Sequence, residues 1–184
     1  DEPARRQVAD EVRALLREEP SNQLLRAVAI DAALRDGELE QALTEVDVAL
    51  GETPDDRRLH DTRLAILAQL EQGNELETQL RDMIARFPGD TELQGSLLRF
   101  FVATGEQEKA RAFLREIAET AEDPDSRRDA RTALVQFALQ QDGPDSALAQ
   151  IEEILDQIEA PAEVATFRAL RAGIRFDQGE RDAA

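Results

Sequence analysis

Residues 36–56 read DGELEQALTEVDVALGETPDD. The stretch opens on Asp36-Gly37, runs on through glutamates set among apolar residues, and stops at Gly51-Glu52-Thr53-Pro54. Between the two marks it reads as one helix, with the small residues Ala42 and Ala49 seven apart on one face, where close helix packing needs small side chains. A glycine ahead of a helix permits the positive φ of a tight turn, and a proline just beyond one forbids its continuation. Gly37 therefore starts the helix, Gly51 is a candidate C-cap and Pro54 closes the segment.

The same punctuation returns along the chain. Pro20, Pro54 and Pro88 are 34 residues apart, Pro124 follows after 36 and Pro161 after 37. Gly37, Gly73, Gly105, Gly143 and Gly179 interleave with them, each 17 to 19 residues after a proline of that set. Between the marks lie helical apolar spacings, such as Leu97, Leu98 and Phe101 before Gly105, then Ala110, Leu114 and Ile117 after it. The repeating unit is helix, Gly turn, helix, Pro turn.

Gly37, Leu39, Ala42, Ala49-Leu50 and Pro54 at this period resemble the tetratricopeptide repeat. The third unit matches with Leu97, Phe101, Gly105, Ala110 and Leu114, and the unit ending near Pro161 with Leu134, Phe137, Gly143 and Ala147. The unit ending at Pro88 departs most, with Leu76 to Met83 where small residues are usual. The family's bulky aromatic early in the first helix is replaced by Arg26, His60, Gln94 and Ala130, and only Phe167 keeps it. The resemblance implies an all-α fold, a right-handed α-solenoid of stacked antiparallel helix pairs with about ten helices. Residues 3–178 would form one solenoid, with full repeats at 21–54, 55–88, 89–123 and 124–160 and half repeats at 3–19 and 161–184. Ala184, five residues after Gly179, stands as Ala42 does to Gly37. Both ends then read as cut within an array, so that the chain is expected to be a fragment whose bare ends can pair as a homo-dimer.

Composition supports helix and excludes several functions. Tyr, Trp and Cys are absent, which removes disulfides, thiolate metal sites and cysteine nucleophiles. A net charge of -18 repels nucleic acid and anionic membrane alike. No apolar run approaches the length of a membrane span. Lys109 is the only lysine, the other basic residues being arginine, a bias that with abundant alanine points to a GC-rich bacterial source.

Few residues carry chemistry. His60 stands alone, without a second His or an ordered carboxylate cluster, and reads as the filling of a packing slot. Ser21, Ser126 and Ser146 stand near helix starts, where capping is their natural role, and Ser96 lies inside a helix. The sequences PDD (54–56) and DPDS (123–126) lack calcium-loop spacing and read as N-caps. Glycines are dispersed at repeat spacing, so no phosphate loop exists. No catalytic, cofactor-binding or metal-binding residue is expected.

In tetratricopeptide arrays the first helix of each unit lines a concave groove, and that assignment follows from the resemblance alone. Carried onto this chain, it places Leu24, Ala27, Asp31, Leu34 and Arg35 in the first unit. The leading candidates for contact with a partner are Arg58, Arg99, Val102, Arg128, Arg131, Val135, Arg168, Arg175 and Phe176. Leu34, Val102, Val135 and Phe176 would be apolar anchors, and the arginines would clamp carboxylates of an acidic segment or a free C-terminus. The competing reading is that these arginines pair with neighbouring Glu and Asp on the surface. The expected function is a non-enzymatic scaffold for a protein or peptide partner. Alternatives are a regulatory region of a larger enzyme or envelope-assembly protein, and a self-association module. Localisation stays open between bacterial cytoplasm and a periplasmic or membrane-tethered position.

Overall fold

The computed structural model of the chain describes residues 2–179, with side chains from residue 7 onward except residue 9. Ala184 lies outside the described residues. These form ten helices and no strand: α1 (Glu2–Glu18), α2 (Gln23–Asp36), α3 (Leu39–Glu52), α4 (Arg57–Gln69), α5 (Gly73–Arg86), α6 (Thr91–Ala103), α7 (Gln107–Thr120), α8 (Pro124–Gln141), α9 (Pro144–Gln157) and α10 (Pro161–Asp177). The fold is thus all-α, of the helical-repeat class that the period implied. The chain divides into two compact units, Asp1–Leu97 and Leu98–Ala184.

In the first unit, consecutive helices from α1 to α5 pack side by side. The opening stretch supplies the centre: Ala42 and Val46 of α3 are fully buried against Ile30 and Ala33 of α2 and Ile66 of α4. A smaller cluster of Val12, Leu16 and Ala29 joins α1 to α2. In the second unit α7 to α10 pack consecutively. Ala147, Ile151 and Ile154 of α9 are buried with Val135 and Ala138 of α8 and Phe167 and Ile174 of α10. Phe101 and Phe113 meet edge to face at 6.3 Å, joining α6 to α7 in that unit.

The turns repeat more strictly than the glycines do. Glu38 donates its backbone N–H to Ala33 O at 2.9 Å, Gln72 to Leu67 O at 3.0 Å and Glu106 to Phe101 O at 2.8 Å. These are three Schellman closures spaced 34 residues apart. Each needs one left-handed residue, and those residues are Gly37 (φ 75°), Glu71 (φ 55°) and Gly105 (φ 74°). The expectation that Gly73 makes the second turn is therefore corrected: Gly73 opens α5, and a glutamate holds the strained position. Gly51 is not a C-cap either. Helix α3 runs through it to Thr53, whose N–H and hydroxyl both donate to Ala49 O, at 2.9 and 3.0 Å.

Helix starts repeat as well. Asn22, Asp56 and Asp90, again 34 apart, accept backbone N–H bonds from the first turns of α2, α4 and α6. Asp123 caps α8 through Ser126 N at 2.8 Å, and Ser126 is a donor to that cap rather than the cap itself. Asn22 displaces Ser21 as the cap of α2, and Gly143 precedes α9 where Ser146 was expected to cap. Asp90 also receives Arg57 at 2.5 Å, which holds its carboxyl below the usual range and raises the guanidinium above its own.

Candidate functional site

In two of the four units that lack the aromatic, a buried polar side chain takes the slot; Gln94 is half-buried and Ala130 is buried and apolar. Arg26 and His60, each six residues after a proline, are both buried. Arg26 donates Nη2 to the Pro20 carbonyl and Nη1 to Glu45 Oε2 at 2.6 Å. His60 contacts the Pro54 carbonyl through Nε2 at 2.7 Å and Gln79 Nε2 through Nδ1 at 2.8 Å. A carbonyl can only accept, so Nε2 carries the proton. Gln79 Oε1 accepts from Arg63 at 2.8 Å, which turns the amide N–H₂ toward Nδ1 and leaves that nitrogen as acceptor. Both ring nitrogens are thus engaged, and Phe87 closes the site edge-on at 6.0 Å. His60 fills a packing slot, as its isolation in the sequence implied. The aromatic Phe167 fills the equivalent place in α10 and is fully buried.

The exposed faces of the first helices carry the remaining features. Among the described residues, eight large apolar side chains are exposed, and five lie on first helices: Leu24, Val28, Val102, Leu139 and Phe176. Leu24 is 76% exposed, Phe176 58% and Val102 47%. Next to Leu24 the first unit has a pocket of ≈ 360 Å³ between α2, the end of α3 and the start of α4.

The nine predicted contact residues fare unequally. Arg58 alone lies in the first unit; its side chain is 92% exposed on the pocket wall, 3.8 Å from Asp56. In the second unit Arg99 and Arg168 are exposed, and Arg175 is half-buried. Arg128 pairs with Asp125 at 2.8 Å and Asp129 at 3.4 Å. Arg131 reaches from α8 to Glu163 of α10 at 2.7 Å, with both side chains mostly covered. Arg128 follows the surface-pairing alternative, whereas Arg131 sits in a mostly covered pair between helices. Val135 is corrected outright: at 1% exposure it packs among Ala138, Ile151 and Phe167 and can touch no partner. Leu34, the other inner anchor, packs against the α2–α4 core.

Sequence reasoning placed Leu24 and Ala27 on this face but did not single out the pocket or Glu52 at its edge. One signal was present. In α2 the apolar residues outnumber what one face can hold: Ala29, Ile30 and Ala33 go inward while Leu24, Ala27 and Val28 stay outside.

No family model and no curated protein matches the sequence. Solved structures do. The structure of Naa15/Naa10 bound to HypK-THB contains a chain similar to 99% of this one, at 14% identity and a TM-score of 0.62, and the match spans 28% of that chain. A tetratricopeptide repeat protein from Parabacteroides merdae ATCC 43184 is similar over 99% of this chain and 83% of its own, at 16% identity and a TM-score of 0.49. YrrB, described as a TPR protein with an unusual peptide-binding site, is similar over 94% and 86%, at 16% identity and a TM-score of 0.46. At such identities the likeness is one of fold.

Proposed function

We propose that this array of helix pairs, with the period of tetratricopeptide repeats, is a non-enzymatic scaffold binding a segment of a protein or peptide partner along its first helices. One observation carries this reading: the exposed large apolar side chains concentrate on those helices. A solvated surface tolerates single exposed apolar residues, but their recurrence on successive first helices, with Leu24 at the wall of a pocket, supports a surface meant to be covered. That His60 has both ring nitrogens committed to structural bonds supports the non-enzymatic part.

The test is affinity capture with wild-type chain and with a chain carrying Leu24→Ser, Val102→Ser and Phe176→Ser. All three side chains are exposed, so melting should stay nearly unchanged. A partner held by the wild type and lost by the variant supports the reading. Identical capture by both chains overturns it.

A further inference from the structure

The pocket of the first unit has a definite charge balance. Its apolar wall is Leu24, Ala27 and Leu59, and its polar rim includes Glu52, Asp56 and Arg58. Of the polar groups, the charge of Arg26 is offset by Glu45, its two Nη atoms bonding Glu45 and the Pro20 carbonyl while its buried Nε has no partner among the described residues, and Asp56 caps α4. The guanidinium of Arg58 stands 3.8 Å from the Asp56 carboxylate, which offsets it. Glu52 is exposed and makes no ion pair among the described residues. An apolar floor with an uncompensated carboxylate at its edge suits a side chain with a methylene stem and a cationic head.

Resting on the scaffold reading above, we propose that this pocket takes a lysine or arginine side chain from a basic segment of the partner. The stem lies on Leu24 and Leu59, and the head meets Glu52. The field of the whole molecule acts in the same direction. At a net charge of -18 the chain attracts a basic segment and repels an acidic one, at long range and before contact. A second copy of the chain brings the same net charge of -18, and that long-range repulsion argues against self-association at this pocket.

The test is selection of a random displayed peptide library on the full chain, followed by anisotropy titration of the most enriched peptide. Wild type is compared with Leu24→Ser, Glu52→Gln and Glu52→Lys, each checked by circular dichroism melting. Enriched peptides are expected to be net basic. Leu24→Ser and Glu52→Lys each weaken binding by about tenfold or more, Glu52→Gln by less, and added salt weakens it further. Enrichment of acidic peptides overturns the proposal. So do enriched peptides whose affinity all three variants leave unchanged, an outcome that keeps the scaffold reading. Failure to enrich any peptide above an unrelated helical protein overturns both.

Discussion

His60 donates its Nε2 proton to the backbone carbonyl of Pro54 at 2.7 Å. Arg26 makes the same bond to Pro20, 34 residues earlier. The second helix of each pair completes the arrangement, Glu45 for Arg26 and Gln79 for His60, each 19 residues further on. His60→Ala leaves a void and deprives both the Pro54 carbonyl and the Gln79 amide of a partner. We expect a loss of about 2–4 kcal/mol of unfolding free energy, read by urea denaturation. His60→Phe leaves no void and should cost less, because the fold accepts an aromatic at the equivalent Phe167.

Glu71 occupies a left-handed turn that glycine holds at residues 37 and 105. Relieving a non-glycine residue of that conformation is worth about 1 kcal/mol. Glu71→Gly should therefore raise the urea midpoint, against the usual direction for a glycine introduced into a chain. Gly105→Ala, with open space around its Cβ position, should lower stability by about 1 kcal/mol through backbone strain alone.

Asp90 gives a prediction in pH. Its folded-state carboxyl is held low first by the hydrogen bond from Arg57 and then, against the opposing effect of desolvation, by the backbone N–H groups of Leu93 and Glu92. A depressed carboxyl contributes stability above its unfolded value, near pH ~4, and that contribution is lost as pH falls through the folded value. Asn keeps the capping oxygen and removes the charge. Asp90→Asn should lower the urea midpoint at neutral pH and flatten its fall between neutral and strongly acidic solution. Parallel curves for the two proteins would count against a depressed carboxyl.

Val102 and Val135 separate surface from core on otherwise equal side chains. Val135→Ala should cost about 1–3 kcal/mol, since it empties a closely packed position. Val102→Ser should move stability by no more than about 0.5 kcal/mol. The discriminating measurement is a pair of denaturation curves; equal losses would place Val102 in the core.

Helices and their period were legible because proline and glycine act locally, each restricting or freeing the backbone wherever it stands. The Pro54 boundary follows from that logic, and of the two small residues read on the packing face of the opening stretch Ala42 is fully buried and Ala49 partly so. Glu71 was not legible, since no residue type announces a tolerated left-handed glutamate; only the spacing of 34 from Gly37 and to Gly105 points to it. The contact surface was legible only in part. The family's groove positions locate a helix face within a residue or so, and that margin separates exposed Val102 from buried Val135. Whether an arginine is free depends on which carboxylate the neighbouring helix presents, as Glu163 does to Arg131, and that pairing is set by packing rather than by local sequence.

The slot that Arg26 and His60 fill has a consequence for how such a chain can be altered by recombination. An aromatic in that slot, such as Phe167, is held by bulk and accepts any neighbour of suitable shape. A hydrogen-bonding occupant instead ties the preceding loop, the first helix and the second helix to one another at fixed offsets. Segments built around Arg26 and His60 therefore carry their own alignment key and can be copied only with loop and partner included. The α10 slot, keyed by volume, tolerates a change of context, so the repeats of this protein are not interchangeable parts.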